Sequence, residues 1–83
     1  MSPRLQNKAA VLRKFEGYCY QIAYYVLEKE QEAVQAARET LLELGTDDSF
    51  FEQEEPEQQR RVRVLTMKQS LAARKTAYSA VIV

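Results

Sequence analysis

The chain has 83 residues, a formal net charge of zero, a single cysteine and no histidine. These features predict one small domain in a reducing cytoplasm, without a disulfide, a metal or another cofactor, because Cys19 has neither a second cysteine nor a histidine beside it as a ligand. The commonest general base is absent, and no stretch approaches the roughly 20 apolar residues that span a bilayer, so we expect neither an enzyme nor a membrane protein.

The abundance of helix-forming residues predicts an all-α fold, a small bundle of three main helices at about residues 3–28, 31–44 and 57–78. Ser2-Pro3 is a typical helix start. The apolar residues of the first helix recur every three or four positions and therefore share one side: Leu12, Phe15, Cys19, Ile22 and Val26. The segment Tyr18–Leu27 is apolar on nearly every side. It is either central in the bundle or covered by a partner, for example by a second copy in a homodimer.

The apolar pattern changes phase between the first and second helices. The first stripe would continue through Lys29, Ala33, Ala36, Thr40 and Glu43, whereas the apolar residues are Val34, Ala37, Leu41 and Leu44. A turn near Glu28–Gln31 accounts for this shift, and the natural drift of a 3.6-residue helix is the alternative. Gly45 then provides a C-terminal cap for the second helix.

An acidic loop over residues 45–56 leads to the third helix. Within it, Ser49-x-x-Glu52 is a candidate capping box for one short turn around Phe50 and Phe51. Pro56 marks the new helix start. The apolar residues of the third helix share one face: Val64, Met67, Leu71 and Tyr78. Residues 79–83 are predicted to form an apolar tail or a docking strand.

Charge is segregated along the chain. The segment Glu28–Glu57 contains eleven acidic residues against two bases, Lys29 and Arg38. From Gln58 onward all charged side chains are basic: Arg60, Arg61, Arg63, Lys68, Arg74 and Lys75. These six are candidate contacts to nucleic-acid phosphates, and the alternative is a face neutralised by the acidic block. A pI near 6.3 favours at most weak DNA binding.

Three sequence blocks carry a family resemblance. They are Tyr18-x-x-x-x-Ala23-x-x-x-Leu27, then Glu32-Ala33 with Glu39-Thr40-Leu41-Leu42-x-Leu44, and finally Val64-Leu65-Thr66-Met67-x-x-Ser70-Leu71-Ala72-x-Arg74. In this order and at these distances, residues 12–75 resemble region 2 of bacterial RNA polymerase sigma factors, especially the extracytoplasmic-function type. The chain looks like a divergent, stand-alone relative of that region.

The resemblance implies a protein-docking face on the second helix, because region 2 uses this helix to bind the clamp helices of the polymerase β′ subunit. The matching residues lie on one side of the helix: Gln35, Arg38, Glu39 and Leu42. The resemblance also implies departures: Gln35 and Arg38 stand where the family has aspartate and glutamine. Arg63 stands where it has tryptophan, and Ser70 where it has asparagine. The stacking platform for a flipped promoter base is therefore absent at position 63.

The sequence thus predicts a transcription protein that acts through protein–protein contact. The expected partner is RNA polymerase or a separate sigma-like subunit that supplies the contact of the missing promoter-reading domain. The alternative is a small helical interaction or regulatory module unrelated to polymerase, with a homodimer formed through Tyr18–Leu27.

Overall fold

The computed structural model describes residues 5–82 of the chain, with side chains for residues 7–75. This part consists of four helices: α1 at Leu5–Leu27, α2 at Glu30–Gly45, α3 at Asp48–Glu52 and α4 at Glu55–Ile82. No strand occurs in residues 5–82, so the predicted all-α class is confirmed. The predicted helix start at Ser2-Pro3 lies outside the described residues.

The chain turns between α1 and α2 at Glu28 and Lys29. Glu28 takes a left-handed conformation with φ 59°, and its N–H donates to the carbonyl of Tyr24 at 2.8 Å. Neither glycine has a positive φ. The predicted capping role of Gly45 is therefore wrong: Thr46 follows in a right-handed conformation, and its hydroxyl donates to the carbonyl of Glu43 at 2.7 Å.

Gly45 instead allows a close approach between α1 and α2. A Cβ at this position would lie 3.3 Å from Leu12 Cδ1, which is tighter than ordinary contact. Further along the same interface, Ala33 and Ala36 are buried against Ala23 of α1. Because Leu12 lies beside residue 45 and Ala23 beside residues 33 and 36, the two helices run antiparallel.

The side of α2 that was predicted to face the core is only partly right. Ala33, Ala36 and Thr40, which continue the stripe of α1, are buried, whereas Val34 is exposed. Small side chains turn inward because they let the helices approach closely, and the Thr40 hydroxyl donates to the Ala36 carbonyl at 2.8 Å. The chain breaks at the predicted place, and the buried side of α2 combines both sets, because Ala37 and Leu44 of the shifted set are buried as well.

A short helix, α3, lies within the predicted acidic loop. Its N-cap is Asp47, not Ser49, because the Asp47 carboxylate accepts hydrogen bonds from both the N–H and the hydroxyl of Ser49. This turn inserts Phe50 into the core, where its ring meets Phe15 edge to face at 6.2 Å between centroids. The buried Gln58 amide of α4 donates to the Phe50 carbonyl at 3.1 Å.

α4 runs parallel to α1, because Lys14 pairs with Glu55 at 3.4 Å and Cys19 lies beside Thr66 further along both helices. The buried and exposed sides of α4 are the reverse of the expected ones. The buried face holds Gln58, Val62, Thr66 and Ser70, while Val64, Met67 and Leu71 are exposed. The Tyr78 side chain lies outside the described residues. The segment expected to be a tail or strand continues α4 as far as Ile82, and Val83 is outside the described residues.

Candidate partner-binding surface

The outer side of α2 holds the predicted docking residues. Gln35, Arg38, Glu39 and Leu42 are all exposed and lie on one side of the helix, opposite its buried alanines. Leu42 is 64% exposed, so its side chain contributes little to the core. The Gln35 amide donates to the Glu39 carboxylate at 3.3 Å, which holds two of the four side chains side by side. We call these four residues the α2 patch.

A groove between α1 and α2 borders the α2 patch, and the sequence did not predict it. It has a volume of about 650 Å³, and its lining includes Leu12, Gly17, Val34 and Leu41 together with Arg38 and Leu42. A Cβ on Gly17 would meet nothing within 4 Å, so this glycine leaves the groove open. Arg13, Glu16 and Arg38 supply charge beside a mainly apolar lining. The sequence signals that could have indicated this groove are the glycine inside α1 and Val34, which is exposed on α2.

Arg61, unlike the other predicted phosphate contacts, is engaged by hydrogen bonds within the fold. Its guanidinium binds Asp47 at 2.5 Å, also contacts Gln53, and stacks over the Phe50 ring at 5.7 Å. Hydrogen bonds from Arg61 and from Ser49 lower the pKa of Asp47 to about 2. Arg61 therefore holds α3 against α4.

The other basic residues of α4 remain on the surface. Arg60 lies 4.0 Å from Glu57, and both side chains are largely exposed. Arg63, Lys68, Arg74 and Lys75 are exposed and form no ion pair within the described residues. The acidic block is partly neutralised by α1, through Lys8–Asp48 at 2.6 Å and Lys14–Glu55. The two charge blocks thus meet at Arg60 and Arg61, and the charged residues of α4 beyond Arg61 are all basic.

The tyrosine-rich end of α1 is buried on one side and exposed on the other. Cys19 and Ala23 are fully buried, and burial raises the pKa of the Cys19 thiol. Tyr20 and Tyr24 stack at 5.9 Å between ring centroids. Tyr25, by contrast, is 83% exposed. Segment Tyr18–Leu27 is therefore central on one side and presents tyrosine to solvent on the other.

Two further features bear on what the surface can do. Among the described residues, no three or more acidic or cysteine side chains are grouped closely enough to hold a metal ion. No helix in the same part of the chain is both long and apolar enough to cross a membrane.

Comparisons with models of protein families, with curated proteins and with solved structures found no match to this chain. The resemblance to sigma factor region 2 therefore remains an inference from the residues.

Proposed function

We propose that the chain is a transcription protein related to sigma factor region 2, which acts through protein–protein contact. Its partner is RNA polymerase or a separate sigma-like subunit. The observation that carries this proposal is the α2 patch, because its residues stand at the positions of the family's polymerase-binding helix and all lie exposed on one side of α2. Transcription also places the protein in the cytoplasm.

Leu42 is the apolar anchor of this contact. A leucine that is 64% exposed among polar neighbours can bury more of its side chain against a partner than it buries within its own fold. The groove beside it, lined by Leu12, Val34 and Leu41, offers further apolar area to a side chain of the partner. A small apolar centre with a charged rim is the usual composition of a protein interface.

Arg38 determines which partners fit. It stands where the family has a neutral amide, and it lies at the rim of the groove. A guanidinium donates hydrogen bonds and cannot accept them, so the facing surface must offer a carboxylate or carbonyl oxygen. The partner is therefore a polymerase clamp or sigma-like subunit with such an acceptor opposite Arg38.

Contact with DNA is weak in this proposal. Arg60, Arg63, Lys68, Arg74 and Lys75 are exposed on α4 and suit phosphate contacts, which carry no sequence information. Residues 55–75 include no aromatic side chain on which a base would stack. Binding of duplex DNA to the isolated chain should therefore fall steeply as salt is added.

Capture of partners from a cell lysate tests the proposal. The tagged full chain is compared with Arg38→Glu/Glu39→Arg, which reverses both charges of the α2 patch and keeps the net charge. We expect polymerase subunits, or a small sigma-like protein, to be captured by the original chain and reduced by at least about tenfold in the variant.

The matched control is Lys29→Glu/Glu30→Lys, which exchanges another adjacent exposed pair near the start of α2. It should leave capture unchanged. Equal capture by the α2 patch variant would exclude this face, and failure of the original chain to capture any polymerase or sigma-like subunit would contradict the function itself.

The second candidate function, a homodimeric regulatory module, is favoured by the exposed tyrosine end of α1. Tyr25 is 83% exposed, and tyrosine is enriched in protein interfaces. Sedimentation of the pure protein over a wide concentration range distinguishes the two. A dimer that dissociates when Tyr25 is replaced by serine supports the module, and a monomer at high concentration excludes it.

A further inference from the structure

The outer side of α4 carries a stripe of exposed apolar side chains. Val64, Met67 and Leu71 are 58%, 38% and 52% exposed. Their spacing of three and four residues places them on one side of the helix, over about two turns. We call them the α4 stripe. Three large aliphatic side chains aligned in this way form a continuous patch, unlike a single surface leucine.

The α4 stripe lies on the side of α4 that faces away from the core of the bundle. The inner side of α4 is formed by Gln58, Val62, Thr66 and Ser70, which are buried against α1, α2 and α3. Thr66 donates its hydroxyl to the Val62 carbonyl at 2.6 Å, so a polar residue is satisfied inside. Val64, Met67 and Leu71 on the opposite side remain 38–58% exposed, so the fold buries these large apolar side chains only in part.

Basic side chains flank the α4 stripe on both sides. Successive helical residues are rotated by about 100°, which places Lys68 and Lys75 along one edge and Arg63 and Arg74 along the other. None of these four forms an ion pair within the described residues. The surface is thus an apolar centre between two basic edges.

We propose that the α4 stripe is a docking face for an acidic amphipathic helix of a partner protein, which lies along α4. Such a helix offers apolar side chains at the same three- and four-residue spacing, and these cover Val64, Met67 and Leu71. Its glutamates or aspartates on either side of the apolar face then meet the two basic edges. In paired helices, charged residues that flank the apolar contact in this way determine which helices associate.

Other occupants fit this face less well. In nucleic acid the charged backbone would lie over the apolar centre, and α4 offers no aromatic side chain for stacking between residues 55 and 75. An anionic membrane would be repelled by the exposed carboxylates of Glu54, Glu55 and Glu57 where α4 begins. A second copy could offer its own acidic α2, but the outer side of that helix also carries Arg38, which the basic edges of α4 would repel.

This docking face is separate from the α2 patch, and the inference does not depend on the identity of the partner proposed above. The experiment uses fluorescence anisotropy of labelled peptides with the full chain. The main probe has roughly 20 residues of leucine, alanine and glutamate, long enough to form a helix, with leucines in one stripe and glutamates on both flanks. We expect it to bind, and Val64→Ala/Met67→Ala/Leu71→Ala to weaken binding by at least about tenfold.

Two further variants separate the contributions. Lys68→Glu/Lys75→Glu should weaken binding of the same peptide and make the remaining binding less sensitive to salt. Val34→Ala/Leu42→Ala removes comparable exposed aliphatic groups from α2 and should leave binding unchanged. Each variant should keep its helices, because all these positions are exposed, and circular dichroism checks this.

Three results would overturn the inference. The first is no binding of the acidic peptide, or equal binding of a scrambled peptide that has the same charge but no leucine stripe. The second is loss of binding in the α2 variant instead of the α4 stripe variant. The third is a stripe-dependent affinity for a DNA duplex, for phosphatidylserine vesicles or for a second copy in sedimentation that exceeds the affinity for the peptide.

Discussion

Leu44 of α2 and Leu71 of α4 occupy similar positions in apolar patterns but have opposite environments. Leu44 is 1% exposed and belongs to the core with Phe15 and Phe50, whereas Leu71 is 52% exposed on the α4 stripe. In α2, small residues and one leucine face inward. In α4, Val62 faces inward together with two hydroxyl residues, Thr66 and Ser70, while Val64, Met67 and Leu71 face outward. Helical periodicity therefore identifies a face but does not tell whether that face is inside.

Threonine can replace an aliphatic residue inside a helix because its hydroxyl can reach its own backbone. Thr40 and Thr66 each donate to the carbonyl four residues earlier, at 2.8 and 2.6 Å. Ser70 does not: its buried hydroxyl has no hydrogen-bond partner within the described residues. The interior of α4 thus contains one satisfied and one unsatisfied hydroxyl a turn apart.

The sharpest test of the comparison is truncation of the two leucines. Leu44→Ala should lower the free energy of unfolding by about 3 kcal/mol, because it leaves a cavity in the core. Leu71→Ala should change it by no more than about 0.5 kcal/mol, because the side chain is half exposed. Urea unfolding followed by circular dichroism measures both. Similar losses would mean that α4 is packed the other way round.

Substitution of the two hydroxyl residues should give effects of opposite sign. Ser70→Ala should raise the free energy of unfolding by about 1 kcal/mol, because it removes a buried group that has lost its water without gaining a partner. Thr66→Ser keeps the hydrogen bond but removes a buried methyl group, and should lower it by about 1 kcal/mol. Loss of stability in Ser70→Ala would show that the Ser70 hydroxyl is bonded after all.

The turn between α1 and α2 offers a smaller gain. Glu28→Gly should raise the free energy of unfolding by roughly 0.5 kcal/mol, because glycine takes the left-handed conformation at φ 59° without the strain of a Cβ. Gln31→Gly is the matched control: Gln31 is exposed and has a helical conformation within α2, so glycine there should only destabilise. A gain in both variants would contradict the argument from strain.

The smallest effect concerns acid. The pKa of Asp47 is lowered from 3.8 to about 2 in the fold. As pH falls, the Asp47 carboxylate is therefore protonated at a higher pH in the unfolded chain than in the folded one. The contribution of Asp47 to stability is therefore present above pH 3.8 and is lost as pH falls toward 2. Between these values Asp47→Asn should show a shallower fall in stability than the original chain. Identical slopes would mean that the contact with Arg61 does not persist in solution.

Much of the helical architecture could be predicted from the sequence, because helix propensity and the three- and four-residue spacing of apolar residues are local properties. The exposed face of α2 followed from the same spacing. The inside of α4 could not be predicted, because burial of Thr66 and Ser70 depends on how closely α1 approaches. Likewise, Gly45 and Gly17 act through neighbouring helices: one admits the Leu12 side chain and the other opens a groove. Spacing along one helix does not contain that information.

Cys19 makes the packing of α1 against α4 directly measurable. It is fully buried beside Thr66, and it is the only thiol in the sequence. A thiol-labelling reagent in solution can reach the sulfur only when the two helices separate, so the labelling rate of the unmodified protein reports how often this interface opens. Binding of any partner that stabilises the closed bundle would slow that rate, whichever surface the partner occupies.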